Sequence, residues 1–553
     1  MESIIKLFST HGTFVQPDTL QYILEKENPH KYSEDISKQL KEFPLILTVD
    51  HLRKIENETK KETIKEPTKE ALEQKKQQNK ILKKIYNQKP KIVTDSFEDD
   101  EKPSLETTND EVDDNGSKIL FEPSLQNCKP SWKPPSMEYD AEIKILKDIT
   151  GQSTCEGTTS DFVKLFADRF DLLRKLLRTQ RRELAHVIPI NRMQKSGIKD
   201  IQLVGMVNEV RTTANGHKLV QLEDDTGMVT AIVLKKFKDV FQLAQNIVPD
   251  EIIGITGQLS KHGDLFLINH VVYPDVSLNN KRHKTSVPLY TAFLSDVHVG
   301  SKDFLDKQWN SFLKWINGNL GNSRQKDVAG KIKYIVIPGD IVDGIGIYPN
   351  QEHELSITDL YKQYESLAEQ LSCIPDYISL IIQPGNHDAV RPAEPQPTFE
   401  KEICQLFSSN DATFIGNPSY FSLHGVEILS YHGQSLLDFA TNIQHLKYNE
   451  PIEIMKTMLQ KHHLAPIYGG YTPLAPEHKD YMVIDRVPDI FVTGHVHLAS
   501  LGEYRGVTLI NASSWQAQTT YQKMLNFIPD PAKLPIADLQ TGNVTMMDFN
   551  KQA

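Results

Sequence analysis

Six stretches between Phe293 and Trp515 hold the residues of this chain that can do metal chemistry: FLSDVHVG, VIPGDIVDG, IIQPGNHDAVRPAEPQP, LSYHGQS, FVTGHVH and INASSWQAQ. Five of them present Asp296 and His298, Asp340, Asn386 beside His387, His432, and His495 with His497. The sixth places Asn511, Ser513, Ser514 and Trp515 in the same kind of position. Two carboxylates, four imidazoles and an amide oxygen form a mixed nitrogen and oxygen set. Such a set suits Mn²⁺, Fe²⁺ or Zn²⁺ better than Mg²⁺ or Ca²⁺, which favour all-oxygen shells. Seven donors are too many for one structural zinc. They suit two divalent ions about 3.5–4 Å apart with one carboxylate bridging.

Distant donors need a scaffold that gathers them. Tyr334–Ile337 runs into Pro338-Gly339-Asp340, Leu380–Ile382 into Gln383-Pro384-Gly385-Asn386-His387, and Ile490–Val492 into Thr493-Gly494-His495. Short, β-branched apolar runs read as strands buried on both faces. The polar residue then falls on the loop past the strand's carboxyl end, where α/β sheets collect their sites. Gly385, Gly433 and Gly494 are expected to let the backbone approach the ions.

Composition bounds the rest. The chain has 553 residues, enough for several domains, with 39% hydrophobic and 24% charged residues. Its net charge of −11 means that any nucleic-acid binding must use a local patch, the metals or a partner. No apolar stretch approaches the roughly 20 residues of a membrane span, and MESIIKLFSTHG has no signal-peptide pattern. Cys128, Cys155, Cys373 and Cys404 are scattered, which reads as free thiols in a reducing compartment and predicts a cytoplasmic protein without membrane contact.

Along the chain, residues 1–53 read as a small helical interaction module. Pro17-Asp18 opens one helix, Ser33 caps another, and Phe43–Leu47 packs across them. Residues 54–140 are rich in Lys and Glu and then in acidic residues, a disordered linker with a transient helix over Glu70–Tyr86. Trp132–Pro135 is a weak docking-peptide candidate. Residues 141–195 form a helical lead-in in which Ser160-Asp161 caps a helix with Val163, Phe166, Phe170, Leu173 and Leu177 on its apolar face. The arginines at its end suit the helix dipole first and a DNA backbone second. Residues 196–285 give five short strands with a helix before the fourth, the pattern of an OB-fold barrel. Few aromatics and the acidic Glu223-Asp224-Asp225 favour subunit docking over strand binding for it. Residues 286–553 form the domain that carries the six stretches.

The ordered series Asp-x-His, Gly-Asp, Gly-Asn-His-Asp, His and Gly-His-x-His resembles the calcineurin-like metallophosphoesterase superfamily. An OB-fold directly before such a domain resembles the B-subunits of replicative DNA polymerases. GNHDAVRPAEPQP, HLAPIYGGYTPLAPEHKDYMVIDRVPDIFVTGHVH and NASSWQAQTTYQKMLN are similar in particular to the small subunits of the archaeal D-family polymerase. The resemblance covers roughly residues 150–553. It implies a multidomain α+β and α/β architecture: an OB-fold barrel, then a metallophosphoesterase β-sandwich flanked by helices. It also implies two divalent metal ions, foremost Mn²⁺, and a proofreading 3′-to-5′ exonuclease. The partners it implies are a large catalytic polymerase subunit, DNA with a 3′ end, and the sliding clamp. The alternative is a scaffold B-subunit of low activity; a stand-alone phosphodiesterase ranks third.

Carried over position by position, the resemblance gives one ion to Asp296, His298 and His497, the other to Asn386, His432 and His495, and makes Asp340 the bridge. It further implies that the ions would supply a hydroxide nucleophile and that His387 is the candidate general acid for the leaving 3′-oxygen. Asp343 and Asp388 either orient imidazoles or cap loops. Arg391 reaches a phosphate or pairs within its own loop. Trp515 and Tyr521 stack a frayed base or, as favoured, fill the core. Met546–Phe549 is a weak clamp-binding candidate.

Overall fold

The structure, a computed structural model, describes residues 133–551 except 196–199, 262 and 264, and before them only 14–15, 22–23, 26, 31–33, 36, 46–47 and 52. The chain divides into two units, Met1–Ile81 and Leu82–Ala553. In the first, β1 (Phe14–Val15) pairs in parallel with β2 (Ile46–Leu47). Lys31–Ser33 are helical, and Ser33 is buried. The transient helix over Glu70–Tyr86 and the linker as far as Trp132 lie outside the described residues.

In the second unit a short 3-10 helix, Pro135–Glu138, comes first, and residues 141–195, expected as a helical lead-in, begin with a strand. β3 (Ile143–Lys147) pairs with a distant strand, Ser419–Leu423, and so belongs to the sheet of the downstream domain. Helix α1 (Thr159–Gln180) follows. Its cap is Thr158 rather than Ser160-Asp161: Asp161 reaches back from the third position and completes a capping box with Thr158. Phe170, Leu173 and Leu177 are buried as the periodicity predicts, but Val163 is 64% exposed.

β4 (Ile201–Thr212), β5 (Lys218–Asp224), β6 (Gly227–Val233), β7 (Ile252–Leu259) and β8 (Phe266–Val272) close a barrel in the order β4-β5-β6-β8-β7. Alternation along β5 turns Val220 and Leu222 inward. Helix α2 (Lys238–Ala244) lies between β6 and β7, as expected for an OB-fold.

The remaining chain builds two six-stranded sheets. The first has the order β12 (Ala412–Phe414), β11 (Ser379–Gln383), β10 (Ile332–Pro338), β9 (Tyr290–Phe293), β18 (Lys533–Asp538) and β19 (Val544–Asp548). The second has the order β16 (Ser500–Tyr504), β17 (Val507–Asn511), β15 (Ile490–Thr493), β14 (Val426–Ser430), β13 (Ser419–Leu423) and β3. The period-two alternation of strands explains the continuous apolar runs, because each strand feeds two cores. Tyr334 and Val336 of β10 meet Phe421, Ile428 and Val492 between the sheets. Ile335 and Ile337 face outward against α3 (Asp306–Ile316), α4 (Ser323–Lys331), α5 (Leu360–Leu371) and α6 (Lys401–Leu406). Leu429 and Phe491 face outward against α7 (Leu436–Asn442) and α8 (Pro451–Lys461). The result is a helix-covered sandwich of two sheets.

The barrel is fastened to this sandwich by buried charge. Lys461 of α8 pairs with Glu251 and donates to the Asn246 carbonyl. Arg169 of α1 donates to Asp480 at 2.7 Å with both side chains buried. Among the described residues no helix is long and apolar enough to cross a membrane. The clamp-binding candidate is not a free tail: Met546 and Met547 lie in β19 paired with β18, and Phe549 is fully buried against Trp515.

Candidate metal centre

β9, β10 and β11 run parallel to one another, as do β14, β15 and β17. Their carboxyl ends therefore lie along one edge of each sheet, and the polar residues expected on the following loops converge there. The turns are sharp. Asp296, His298, Asp340, His495 and His497 all hold φ between 50° and 66°, the left-handed region that such side chains rarely adopt. Strain of this kind persists only where the surroundings over-determine it, and it clusters at functional sites. A side chain on Gly385 would collide with Asp340, and one on Gly494 with Ser295 and Asp296, so these two glycines are needed for close approach.

Three groups of donor atoms lie within 4.8 Å of one another and can hold a metal ion: Asp296 with His298 and His497, Asp340 with His432 and His495, and His298 with Asp343 and His387. His298 Nε2 is 3.1 Å from His497 Nε2, which is 3.5 Å from Asp296 Oδ1. His432 Nε2 is 3.0 Å from Asn386 Oδ1 and 3.2 Å from Asp340 Oδ2. The same Asp340 oxygen is 3.9 Å from His298 Nε2, so one carboxylate faces both halves of the cluster. Asp296, His298, Asp340 and His432 are almost wholly buried, while Asn386, His387 and His495 are partly open to solvent.

The surrounding groups set the imidazole protons. His298 Nδ1 lies 3.0 Å from Asp343 Oδ1, and His432 Nδ1 lies 2.9 Å from the Pro338 carbonyl. Both acceptors hold a proton on Nδ1 and leave the Nε2 lone pair facing the cluster. His387 Nδ1 lies 2.8 Å from the Asp343 carbonyl, and its backbone N–H donates to Asp340 Oδ1 at 2.8 Å. Burial pushes the His387 pKa down, but the Asp340 and Asp343 carboxylates outweigh it and the net shift is upward. Burial and the neighbouring Asp340 raise the Asp388 carboxyl to about 7.

Of the three supporting residues expected, Asp343 touches a candidate imidazole directly. Asp388 accepts backbone N–H groups instead, from Gly385 at 2.8 Å, Ile341 at 3.3 Å and Val342 at 3.4 Å, and so caps the two loops. Arg391 does not reach the cluster. It pairs with Glu477 at 2.7 Å and donates to the Ala393 and Pro395 carbonyls within its loop. Trp515 is fully buried as favoured, whereas Tyr521 is 57% exposed and does not fill the core.

Several amides here were not singled out in the sequence. Gln516 Nε2 donates to Asp343 Oδ1 at 3.0 Å, Gln522 Nε2 lies 3.2 Å from His497 Nδ1, and Asn417 Oδ1 accepts the His432 N–H at 2.9 Å. Their only signal was position: Gln516 directly follows Trp515 in NASSWQAQ, and Asn417 sits in GNPSY just before β13. Asn511, which was singled out, donates to the Gly494 carbonyl at 2.8 Å and fixes the turn that carries His495.

Residues 291–502, which contain all the candidate ligands, match the B-subunit family of DNA polymerases alpha and epsilon. Residues 201–275 match the OB-fold nucleic acid binding domain. The chain is 44% identical to a DNA polymerase II small subunit of Archaeoglobus fulgidus, over 75% of this chain and 84% of that protein. It is 41% identical to one of Methanocaldococcus jannaschii, over 75% of this chain and 69% of that protein. It is 36% identical to one of Pyrococcus abyssi, over 80% of this chain and 73% of that protein. Identity at that level over most of both chains makes this chain a member of the archaeal DNA polymerase II, or D-family, small-subunit family.

Proposed function

We propose that this subunit is a two-metal phosphodiesterase, the proofreading 3′-to-5′ exonuclease of an archaeal replicative DNA polymerase, docked to a large catalytic subunit. The position of Asp340 carries the reading: its carboxylate faces His432 on one side and His298 on the other, as a bridging ligand requires. The donor set fits two divalent ions, Mn²⁺ foremost, with Fe²⁺ and Zn²⁺ as the other candidates. Asp296, His298 and His497 would hold one, and Asn386, His432 and His495 the other. When bound, such ions acidify a water and offset charge on phosphoryl oxygens.

The chain's own groups supply the rest. Asp343 and the Pro338 carbonyl fix the tautomers of His298 and His432, so two lone pairs face inward without reorganisation. His387, anchored through Nδ1 on the Asp343 carbonyl and partly open to solvent, has its Nε2 left to donate a proton to the leaving 3′-oxygen. Asp388 holds the Gly385 and Ile341 backbones and thereby the spacing of Asn386 from Asp340.

The large-subunit partner follows from the relatives' designation as small subunits. The test is Asp340→Ala purified with its polymerase partner. Hydrolysis lost with assembly and melting temperature preserved supports catalytic ions. Hydrolysis unchanged refutes them, and a variant that fails to fold or assemble assigns the cluster a structural role.

A further inference from the structure

Residues 519–530 wrap around His497. Gln522 Nε2 lies 3.2 Å from His497 Nδ1, and the Asp530 N–H donates to the His497 carbonyl at 2.9 Å. Between them lies the short helix α9 (Thr520–Met524), closed by a capping box between Thr519 and Gln522. Turning Gln522 toward His497 leaves its neighbours facing away. Tyr521 is 57% exposed, Met524 74% and Ile528 64%, and α9 buries none of its residues. Lys523 is exposed and feels the charge of Asp303.

Large exposed apolar side chains on and just after a helix that contacts a candidate ligand, as Gln522 contacts His497 Nδ1, mark a binding surface rather than an ordinary solvated face. An aromatic ring, a polarizable thioether and an exposed ammonium are elements that can hold single-stranded nucleic acid, stacking on bases and attracting phosphate. We propose that Tyr521, Met524 and Ile528 form a stacking platform for unpaired nucleobases, with Lys523 on the adjoining phosphate. The platform rests on the phosphodiesterase reading for its placement: α9 lies one hydrogen bond behind His497, within reach of a strand whose terminal phosphate sits at the cluster. No base-edge donor or acceptor is needed, so the surface takes any base.

The experiment is equilibrium binding of a fluorescein-labelled oligothymidylate and of an abasic oligomer of equal length, in EDTA, so that hydrolysis plays no part. Wild type is expected to bind the thymidylate about tenfold more tightly than the abasic strand. Tyr521→Ala with Met524→Ala is expected to bind both equally, and Tyr521→Phe to keep the preference. All three side chains are exposed, so a melting curve verifies that the variants fold as wild type does. A wild type without preference, or a double variant that retains it, overturns the platform. Failure of wild type to hydrolyse DNA in Mn²⁺ is a separate result: it overturns the nuclease reading and leaves the binding comparison standing.

Discussion

Asp343 Oδ1 lies 3.0 Å from His298 Nδ1, and both side chains are buried. Gln516 and Gln351 donate to the same carboxylate at 3.0 and 3.1 Å, so it is held on several sides. Asp343→Asn removes the charge that keeps the His298 proton on Nδ1. Mn²⁺ affinity is expected to fall about 10–100-fold, the usual effect of losing such a support. A calorimetric Mn²⁺ titration measures it, and unchanged affinity contradicts the assigned role.

Asn417 closes a network behind His432. It accepts the His432 N–H at 2.9 Å and donates to Glu394 Oε1 at 3.2 Å and Gln396 Oε1 at 2.7 Å. Asn417→Ala strands buried groups at each end, which costs about 1–3 kcal/mol. Denaturant unfolding reads the loss, and Mn²⁺ affinity is expected to fall with it because His432 is no longer held. A stability loss with intact metal affinity limits Asn417 to a packing role.

Lys461 and Glu251 are both buried where the barrel meets the sandwich. Lys461→Met leaves the Glu251 charge unpaired and is expected to cost about 3–5 kcal/mol. Adding Glu251→Leu removes the stranded charge and should recover most of that loss. A double variant no more stable than the single one would show that something other than the unpaired charge is responsible.

Glu477 carries a pH dependence away from the candidate ligands, through its pairing with Arg391. Burial pushes its pKa up, but hydrogen bonds from Ser153, the Thr154 N–H and Arg391 outweigh it and bring it from 4.5 down to about 2. A carboxyl lowered by folding stabilises the native state above its unfolded pKa, and that stability is lost as pH falls through its folded pKa. The stability gap between wild type and Glu477→Gln is therefore expected to be full above about pH 4.5 and to close toward about pH 2. Paired denaturation series across that range check it; a gap independent of pH contradicts it.

The strands and their loops were legible because the sandwich demands continuous apolar runs, and each run ends where a ligand begins. Tyr334–Ile337 followed by Pro338-Gly339-Asp340 is the clearest case. The barrel was legible through period-two alternation of the kind seen at Val220 and Leu222. Less local features were not. β3 pairs with β13 across some 270 positions, and nothing within Ile143–Lys147 announces that partner. Arg169 was not singled out at all, although Asp480, 311 residues away, makes it a buried strut. For Asp388 and Arg391 the sequence left two roles open each: Asp388 takes the loop-capping one, and Arg391 bonds carbonyls of its own loop but finds its ion-pair partner outside it, in Glu477. Tyr521 read as core because aromatic residues are usually buried, but Gln522 beside it takes the inward position.

The central claim is tested most directly by incubating a 5′-labelled, 3′-tailed single-stranded DNA with Mn²⁺ and this subunit, alone and with its polymerase partner. Wild type and His387→Ala are compared, each with and without chelator. The account predicts stepwise shortening by wild type, abolished by chelator and reduced about 10²–10⁴-fold in His387→Ala, the span general acid catalysis contributes. No shortening by folded, Mn²⁺-loaded wild type, with or without the partner, contradicts it and leaves the subunit a scaffold.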